Sequence, residues 1–215
     1  LLRRTTDLRA TPNTVLLQRE ESPTETDNWE VGGDYEYNTA RGDRFKILFI
    51  SNKAEFATTR QRWNAEDDGS EAKNLFLDNS STTRERIVRS SYTMDIFEGQ
   101  DIEFGAERAQ TILDSNLALG VASSVGTPSA AFGGLVPVPV ANANSSVEEI
   151  RYEPFIIHNW IFSPRMSLET SVLYEDSEIT QSGDVSKKRD FDFVKPKVDF
   201  RYDLTPTIQL RGSIE

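Results

Sequence analysis

Residues 196–215 read Pro-Lys-Val-Asp-Phe-Arg-Tyr-Asp-Leu-Thr-Pro-Thr-Ile-Gln-Leu-Arg-Gly-Ser-Ile-Glu, and this stretch decides the fold class. On both sides of Thr205-Pro206-Thr207, apolar residues alternate with charged or polar ones. Successive side chains of a strand point to opposite faces, so the alternation predicts a hairpin with one apolar and one charged face. The charged face must meet water. The apolar face must meet either a protein core or lipid.

Composition narrows the possible functions. The 215 residues carry a net charge of −11, which argues against a phosphate-neutralising surface and therefore against nucleic-acid binding. Cysteine is absent, which excludes disulfides, thiol nucleophiles and thiolate metal sites. With 27% charged residues, no window is apolar enough for a membrane helix, although a membrane β-strand needs only about ten residues. The chain starts without Met and ends within a predicted strand, and we expect it to be an internal piece of a longer protein.

The same two-faced pattern recurs along the chain and predicts an all-β, antiparallel up-and-down meander. Short turns are predicted near residues 42, 98, 164 and 205, and an earlier pair is possible around Ala10–Asn13. Long polar excursions are predicted at 56–74, 113–146 and 179–189. Short turns at one end and long loops at the other are typical of outer-membrane barrels. Between Val194 and Lys197 the alternation slips by one residue, which predicts a β-bulge at Pro196.

Aromatic residues gather near the predicted short turns. An aromatic ring is favoured at a bilayer boundary, so these residues suit a girdle, although aromatics also favour strands in general. The strands from Arg44 to Arg62 and from Arg84 to Ile96 are longer than usual and suit a membrane crossing that projects beyond the bilayer. The rings are Tyr35, Tyr37, Phe45, Phe97, Phe104, Trp160, Phe162, Phe200 and Tyr202.

Three runs resemble barrel strands of TonB-dependent outer-membrane receptors: residues 27–37, 195–206 and 208–212. The resemblance covers about 27–215 and implies a 22-stranded barrel with a plug in its lumen. It further implies uptake of a scarce ligand such as a siderophore, cobalamin or sugar, powered by the TonB complex through the plug. On this interpretation residues 1–215 are a partial β-barrel domain of eight to ten strands in the bacterial outer membrane, without plug or remaining strands. The alternative is a soluble or secreted β-sandwich that binds or adheres, with the apolar face as its core.

Candidate chemistry in the sequence is sparse, and no catalytic, cofactor-binding or metal-binding residue is assigned. His158 is the only histidine, so a structural role is preferred to a ligand or base, and a hydrolase is weakly supported. The acidic run Glu66–Glu71 lacks calcium-loop spacing and suits a solvated loop tip. The apolar stretch 126–146 is either an external loop or a lid over the barrel mouth that contacts ligand.

Carboxylates are numerous on the predicted charged face. They are expected to line a lumen rather than to catalyse, with Lys197, Arg201 and Arg211 neutralising carboxylates across strands. The set comprises Glu30, Asp34, Glu36, Asp95, Glu103, Glu107, Glu169, Asp199 and Asp203.

Overall fold

The computed structural model describes residues 2–7, 14–65 and 68–215. Eleven strands form one antiparallel sheet, as the alternation predicted. Their bounds are β1 Leu2–Asp7, β2 Thr14–Glu21, β3 Thr24–Asn38, β4 Arg44–Ala65, β5 Glu71–Phe97, β6 Gln100–Val121, β7 Val136–Pro137, β8 Asn144–Ser163, β9 Met166–Gly183, β10 Lys187–Thr205 and β11 Ile208–Ile214. A 3-10 turn, Ala130–Phe132, precedes β7. In the described part of the chain, no helix has the length and apolar character needed to cross a bilayer.

The sheet is a meander of nine consecutive strand positions, within the predicted eight to ten. The path runs β1-β2-β4-β5-β6-β8-β9-β10-β11, with β3 beside β4 and the short β7 beside β6. β2 and β3 keep one register against β4, since Gln18 lies opposite Asn64 and Thr24 opposite Thr58. They therefore form one strand interrupted at Pro23, which cannot donate a ladder hydrogen bond. The turn predicted around 10–13 lies outside the described residues, although β1 and β2 pair on either side of it.

The short turns fall where they were predicted, but the predicted excursions were wrong in extent. The turns occupy residues 39–43, 98–99, 164–165 and 206–207. At the other end β4 continues to Ala65, β6 to Val121 and β9 to Gly183, so the connections shrink to 66–70, 122–143 and 184–186. These stretches are polar because both faces of the strands meet water there, and polarity alone does not distinguish a wet strand from a loop.

The bulge predicted at Pro196 is also wrong. Lys195, Pro196 and Lys197 lie opposite Leu173, Val172 and Ser171 without any shift of register. β11 reaches only to Ile214, opposite Val198, so Pro196 faces a described neighbour on the β9 side alone. The one-residue slip in the alternation of apolar and polar residues has another cause, namely a change along the strand in the medium that each face contacts.

Almost nothing is buried in this sheet. Only Ala109, Leu135 and Phe155 form a core among the described residues, and the accessible surface is 14667 Å². A compact monomer of 24.3 kDa would expose about 10,000 Å². Trp29, Tyr35 and Val198 remain 51%, 59% and 38% exposed, and Phe200 and Tyr202 are half-buried without a second layer over them. A β-sandwich would bury these side chains, so the alternative architecture is wrong.

Candidate functional site

The register sorts the side chains of β3–β11 onto two faces. One, the apolar face, carries rows such as Tyr35, Ile47 and Ser90, which lie opposite one another on β3, β4 and β5. The other, the polar face, carries Glu36, Lys46 and Ser91 one position further on. All nine carboxylates predicted to share the charged face do share it, since each alternates with apolar-face residues in an unbroken register.

The apolar face is apolar only over a limited height, which we call the apolar band. On β10 it runs from Tyr202 to Val194 and is followed by Asp192. These nine residues span about 27 Å along the strand, or about 21 Å in height for a tilt near 40°. This matches the apolar belt of a membrane barrel, which is about 25 Å tall. On β3 the band ends instead at Trp29, after which Asp27 follows.

The upper border of the band shows how the strands are tilted. When the pairing partners are followed strand by strand from Val194 on β10, the path arrives at Tyr35 on β3. The band on β3 ends at Trp29, which lies six residues from Tyr35 along that strand. Six residues correspond to about 20 Å along a strand, and the six strand-to-strand steps correspond to about 29 Å across the sheet. The border is therefore level only if the strands tilt by about 35° from the vertical. Closed membrane barrels tilt their strands by about 35–45°.

Two hollows lie along the polar face. A hollow of about 870 Å³ near the short turns is lined on this side by Asp101, Asn159, Glu169, Lys197 and Asp199. A second, of about 390 Å³, is lined entirely by polar-face residues of β3, β4, β5 and β6. The second hollow thus lies wholly on the charged side of the wall, and the apolar band lies on the opposite side.

The most organised part of the polar face is a ladder of alternating charges across five strands, which we call the charge ladder. Arg89 Nη1 lies 3.7 Å from Glu107 Oε2, and Arg151 Nη2 lies 3.3 Å from Glu107 Oε1. Arg151 Nε is 3.1 Å from Glu153 Oε2. Lys195 Nζ is 3.8 Å from Glu153 Oε1 and forms an ion pair with Glu175. Three cations and three carboxylates thus neutralise one another. The members are Arg89, Glu107, Arg151, Glu153, Lys195 and Glu175.

A packed aromatic ring supports one end of the charge ladder. Phe155 is 7% exposed and lies opposite Gly105, where a β-carbon would come within 2.7 Å of its ring. The Arg89 guanidinium lies 4.3 Å from the centre of the same ring. Glycine thus makes room for the ring, and the ring supports the arginine through a cation–π contact.

A family model described as TonB dependent receptor-like, beta-barrel, matches residues 3–215. The chain belongs to the TonB-dependent receptor family. Comparison with curated proteins gave no match. Members of this family are outer-membrane receptors and transporters rather than enzymes, and they interact with TonB and with a ligand. In barrels of this family the apolar side of the wall faces lipid and the polar side faces the lumen, and the apolar band and the polar face correspond to these two sides.

The predicted aromatic belt lies on the lipid face near the short turns. Trp160 and Phe162 have ring centres 3.7 Å apart, and Tyr92 and Phe104 are 5.7 Å apart. His158 belongs to the same face, with its Nε2 3.0 Å from Gln100 Oε1 and its ring 6.4 Å from that of Trp160. These contacts favour the structural role expected of the lone histidine.

The predicted neutralisation across strands occurs for Lys197 with Glu169 and for Arg211 with Asp203 as longer-range attraction, whereas the close ion pairs of β10 run along the strand. Lys197 Nζ pairs with Asp199 Oδ2 at 2.9 Å, and Arg201 Nη2 pairs with Asp203 Oδ2 at 2.7 Å, both along one strand. Arg211 donates to Gln209 rather than to a carboxylate. Residues two apart share a face at about 7 Å, within reach of a long cationic side chain.

Part of the acidic run 66–71 falls outside the described residues, namely Glu66 and Asp67. Asp68 Oδ1 accepts the Ser70 N–H at 2.9 Å, and hydrogen bonds from Ser70 lower the pKa of Asp68. No group of histidine, aspartate or glutamate able to hold a metal ion occurs within residues 2–7, 14–65 and 68–215.

Glu71 at the end of this run ties two strands together above the band. Arg19 Nη2 donates to Glu71 Oε2 at 2.8 Å, and its Nε donates to the same carboxylate at 2.9 Å. The Arg19 guanidinium also lies 3.9 Å from the Trp63 ring centre. The hydrogen bonds from Arg19 lower the pKa of Glu71, and the same bonds raise the pKa of Arg19.

The long connection 122–143 folds back onto the outer side of the wall. Lys73 Nζ donates to the Gly133 carbonyl at 3.2 Å, and a β-carbon on Gly133 would come within 2.5 Å of the Phe76 ring. The Phe132 carbonyl covers Gly120, and Leu135 is buried. Phe76 and Gly120 lie opposite each other on the side that carries the apolar band lower down. This packing is that of an ordered external loop, and it does not support the lid over the barrel mouth.

The charge ladder was not found by sequence reasoning, apart from Glu107. Its other members stand alone in sequence, and only the register brings them together. The signal available in the sequence was whether a residue number is odd or even. Every member of the charge ladder has an odd number, as do the lumen-facing residues of β5, β6, β8, β9 and β10.

Proposed function

We propose that residues 1–215 form part of the barrel wall of an outer-membrane transporter that takes up a scarce ligand such as a siderophore. Plug and remaining strands belong to other parts of the same protein, and the TonB complex supplies the energy through the plug. On this proposal the chain serves transport rather than catalysis. The outermost strands of the path, β1 and β11, each have one described neighbour, and a barrel wall needs partners on both sides in lipid.

The charged and ion-paired polar face is the observation that carries this proposal. Its charges are compensated in place by the charge ladder and by the pairs along β10, so a charged solute can pass or bind by exchanging partners with fixed ions. Ion-paired carboxylates are poor general bases, which favours transport over catalysis.

Uptake by the full-length protein in cells tests the proposal. Cells that rely on this receptor are supplied with radioactive iron bound to hydroxamate or catecholate siderophores, and accumulation is measured with and without a functional TonB complex. We expect accumulation of at least one iron chelate that stops when TonB is lost. Uptake that continues without TonB would refute energy coupling, and failure of every chelate would refute siderophore transport.

A further inference from the structure

We infer that a basic patch on the lipid side of the wall binds the phosphate groups of anionic lipids in the outer leaflet. The basic patch consists of Lys53, Arg84, Arg86 and Arg108, on the three neighbouring strands β4, β5 and β6. The inference uses the membrane placement of the barrel and does not depend on which ligand the lumen carries.

The position of these cations relative to the apolar band is the first argument. On β5 the last apolar residue is Val88 and the next residue on that face is Arg86. On β6 Ala106 is followed by Arg108. Both cations therefore stand at the upper border of the band, on the side of the longer connections. A long basic side chain at this height lays its stem along apolar surface and holds its charge at the lipid headgroups.

The spacing of the cations is the second argument. Lys53 lies directly opposite Arg84, and Arg86 is the next residue on the same face of β5. Arg108 lies opposite Val88 and is therefore diagonal to Arg86. Opposed cations have β-carbons about 5 Å apart, and diagonal ones about 7–8 Å apart. Like charges this close destabilise the sheet unless anions lie between them.

Protein carboxylates supply only part of the countercharge. Lys53 Nζ is 2.7 Å from Glu55 Oε1, and Arg84 forms an ion pair with Asp114. Arg86 is exposed, and no described carboxylate pairs with it. Arg108 meets only the neutral Tyr152, whose hydroxyl accepts from Arg108 Nε at 3.4 Å. Two guanidinium groups at the band border thus lack an anion within the described part of the chain.

The opposite side of the sheet shows that this charge is not a general property of the border. The first charged residues above the band are Asp176 on β9 and Asp192 on β10. Lys188, higher on the same face, is held by Glu178 at 2.7 Å and by Asp190 at 3.8 Å. The cations are therefore concentrated on β4–β6, where a phosphate can accept two parallel N–H bonds from a guanidinium fork.

Lipid titration of the full-length protein tests the inference. Protein purified in a neutral detergent is titrated with phosphorylated lipid A and with the same lipid after phosphatase treatment, and native mass spectrometry counts the bound lipid. We compare the wild type with Arg86→Gln/Arg108→Gln, with Arg86→Lys/Arg108→Lys and with the matched control Lys188→Gln. The control removes one positive charge from the same face, but from an ion-paired cation.

We expect the wild type to prefer the phosphorylated lipid and the glutamine pair to lose about 30-fold in affinity, since each basic residue near an anionic surface contributes a factor of about five. The lysine pair should lose less affinity than the glutamine pair, since it keeps the charge but not the guanidinium fork, and Lys188→Gln should stay close to the wild type. Equal binding of both lipids by the wild type would overturn the inference, and so would an unaltered affinity of the glutamine pair or an equal loss in Lys188→Gln.

Two controls keep the result decisive. If the glutamine pair fails to fold, judged by loss of heat-modifiable migration on a gel, the wild type's preference between the two lipids decides alone. If inorganic phosphate displaces the lipid at matched phosphate concentration, the patch is a general anion site and the lipid assignment fails. Iron-chelate uptake is measured separately, so a failed lipid site and a failed transport proposal remain distinguishable.

Discussion

Replacing Gly105 by alanine tests whether the glycine–phenylalanine contact supports the charge ladder. The new β-carbon would lie 2.7 Å from the ring tip of Phe155 and would also collide with the backbone carbonyl of Ser90. Neither group can withdraw without cost, because the carbonyl belongs to the ladder of β5 and the ring is covered by Arg89.

The expected magnitude follows from two opposing terms. Overpacking of this kind costs about 1–3 kcal/mol. The change from glycine to alanine in a strand returns about 0.5–1 kcal/mol through lower chain entropy in the unfolded state. We therefore expect Gly105→Ala to lower the free energy of unfolding by about 1 kcal/mol, and by no more than about 2.5 kcal/mol.

Gly33→Ala is the matched control, because Gly33 also lies in a strand but nothing stands within 4 Å of its would-be β-carbon. This variant should be neutral or more stable by up to about 1 kcal/mol. Urea unfolding of the full-length protein in lipid vesicles, followed by heat-modifiable gel migration, measures both variants. Equal stabilities for Gly105→Ala and Gly33→Ala would refute the packing argument.

Three further changes probe other parts of the wall. Glu107→Gln should destabilise the barrel by about 1–3 kcal/mol in the same urea assay, since it leaves two half-buried guanidinium groups without their shared carboxylate. Unchanged stability would show that the ion pairs of the charge ladder do not stabilise the barrel. Because Arg19 lowers the pKa of Glu71, the Arg19–Glu71 ion pair stabilises the folded barrel fully above the ordinary glutamate pKa. This stabilisation is lost as the pH falls through the lowered pKa of Glu71. Unfolding measured from neutral to strongly acidic pH should therefore show an acid-dependent loss that Glu71→Gln removes, and an identical profile in the variant would contradict this. Gly133→Ala should expose the loop 122–143 to limited proteolysis more than Gly134→Ala, because both have positive φ (64° and 80°) but only Gly133 presses on a ring. Equal cleavage of the two would count against packing on the outer wall.

The sequence predicted the sheet, its four short turns and the residues on each face, because period-2 alternation is a local property. It could not predict the length of the strands beyond the band. There a strand has water on both sides, so the alternation that marks it disappears. Residues 56–62 were assigned both to the long strand from Arg44 and to an excursion, and the structure places them in β4, which runs on to Ala65.

The charge ladder was hidden for a different reason. Glu107 lies opposite Glu153, and Arg151 reaches it only because β6 and β8 pair in one particular register. Sequence reasoning can place a residue on a face, but it cannot align two strands to within one residue when the connection between them is long. Pairs within one strand, such as Lys197 and Asp199, needed no such alignment.

The mistaken bulge at Pro196 shows how a membrane border can imitate an irregular strand. Below Val194 the apolar residues of β10 face lipid, and above it the same face carries Asp192 and then Asp190. Phe191 and Phe193 turn to the other face, where their rings stack with centres 6.1 Å apart. The register of β10 stays constant throughout. What changes along the strand is therefore the medium outside the wall, from lipid to water, and not the backbone. A phase slip in a strand longer than the bilayer therefore marks the height at which lipid ends.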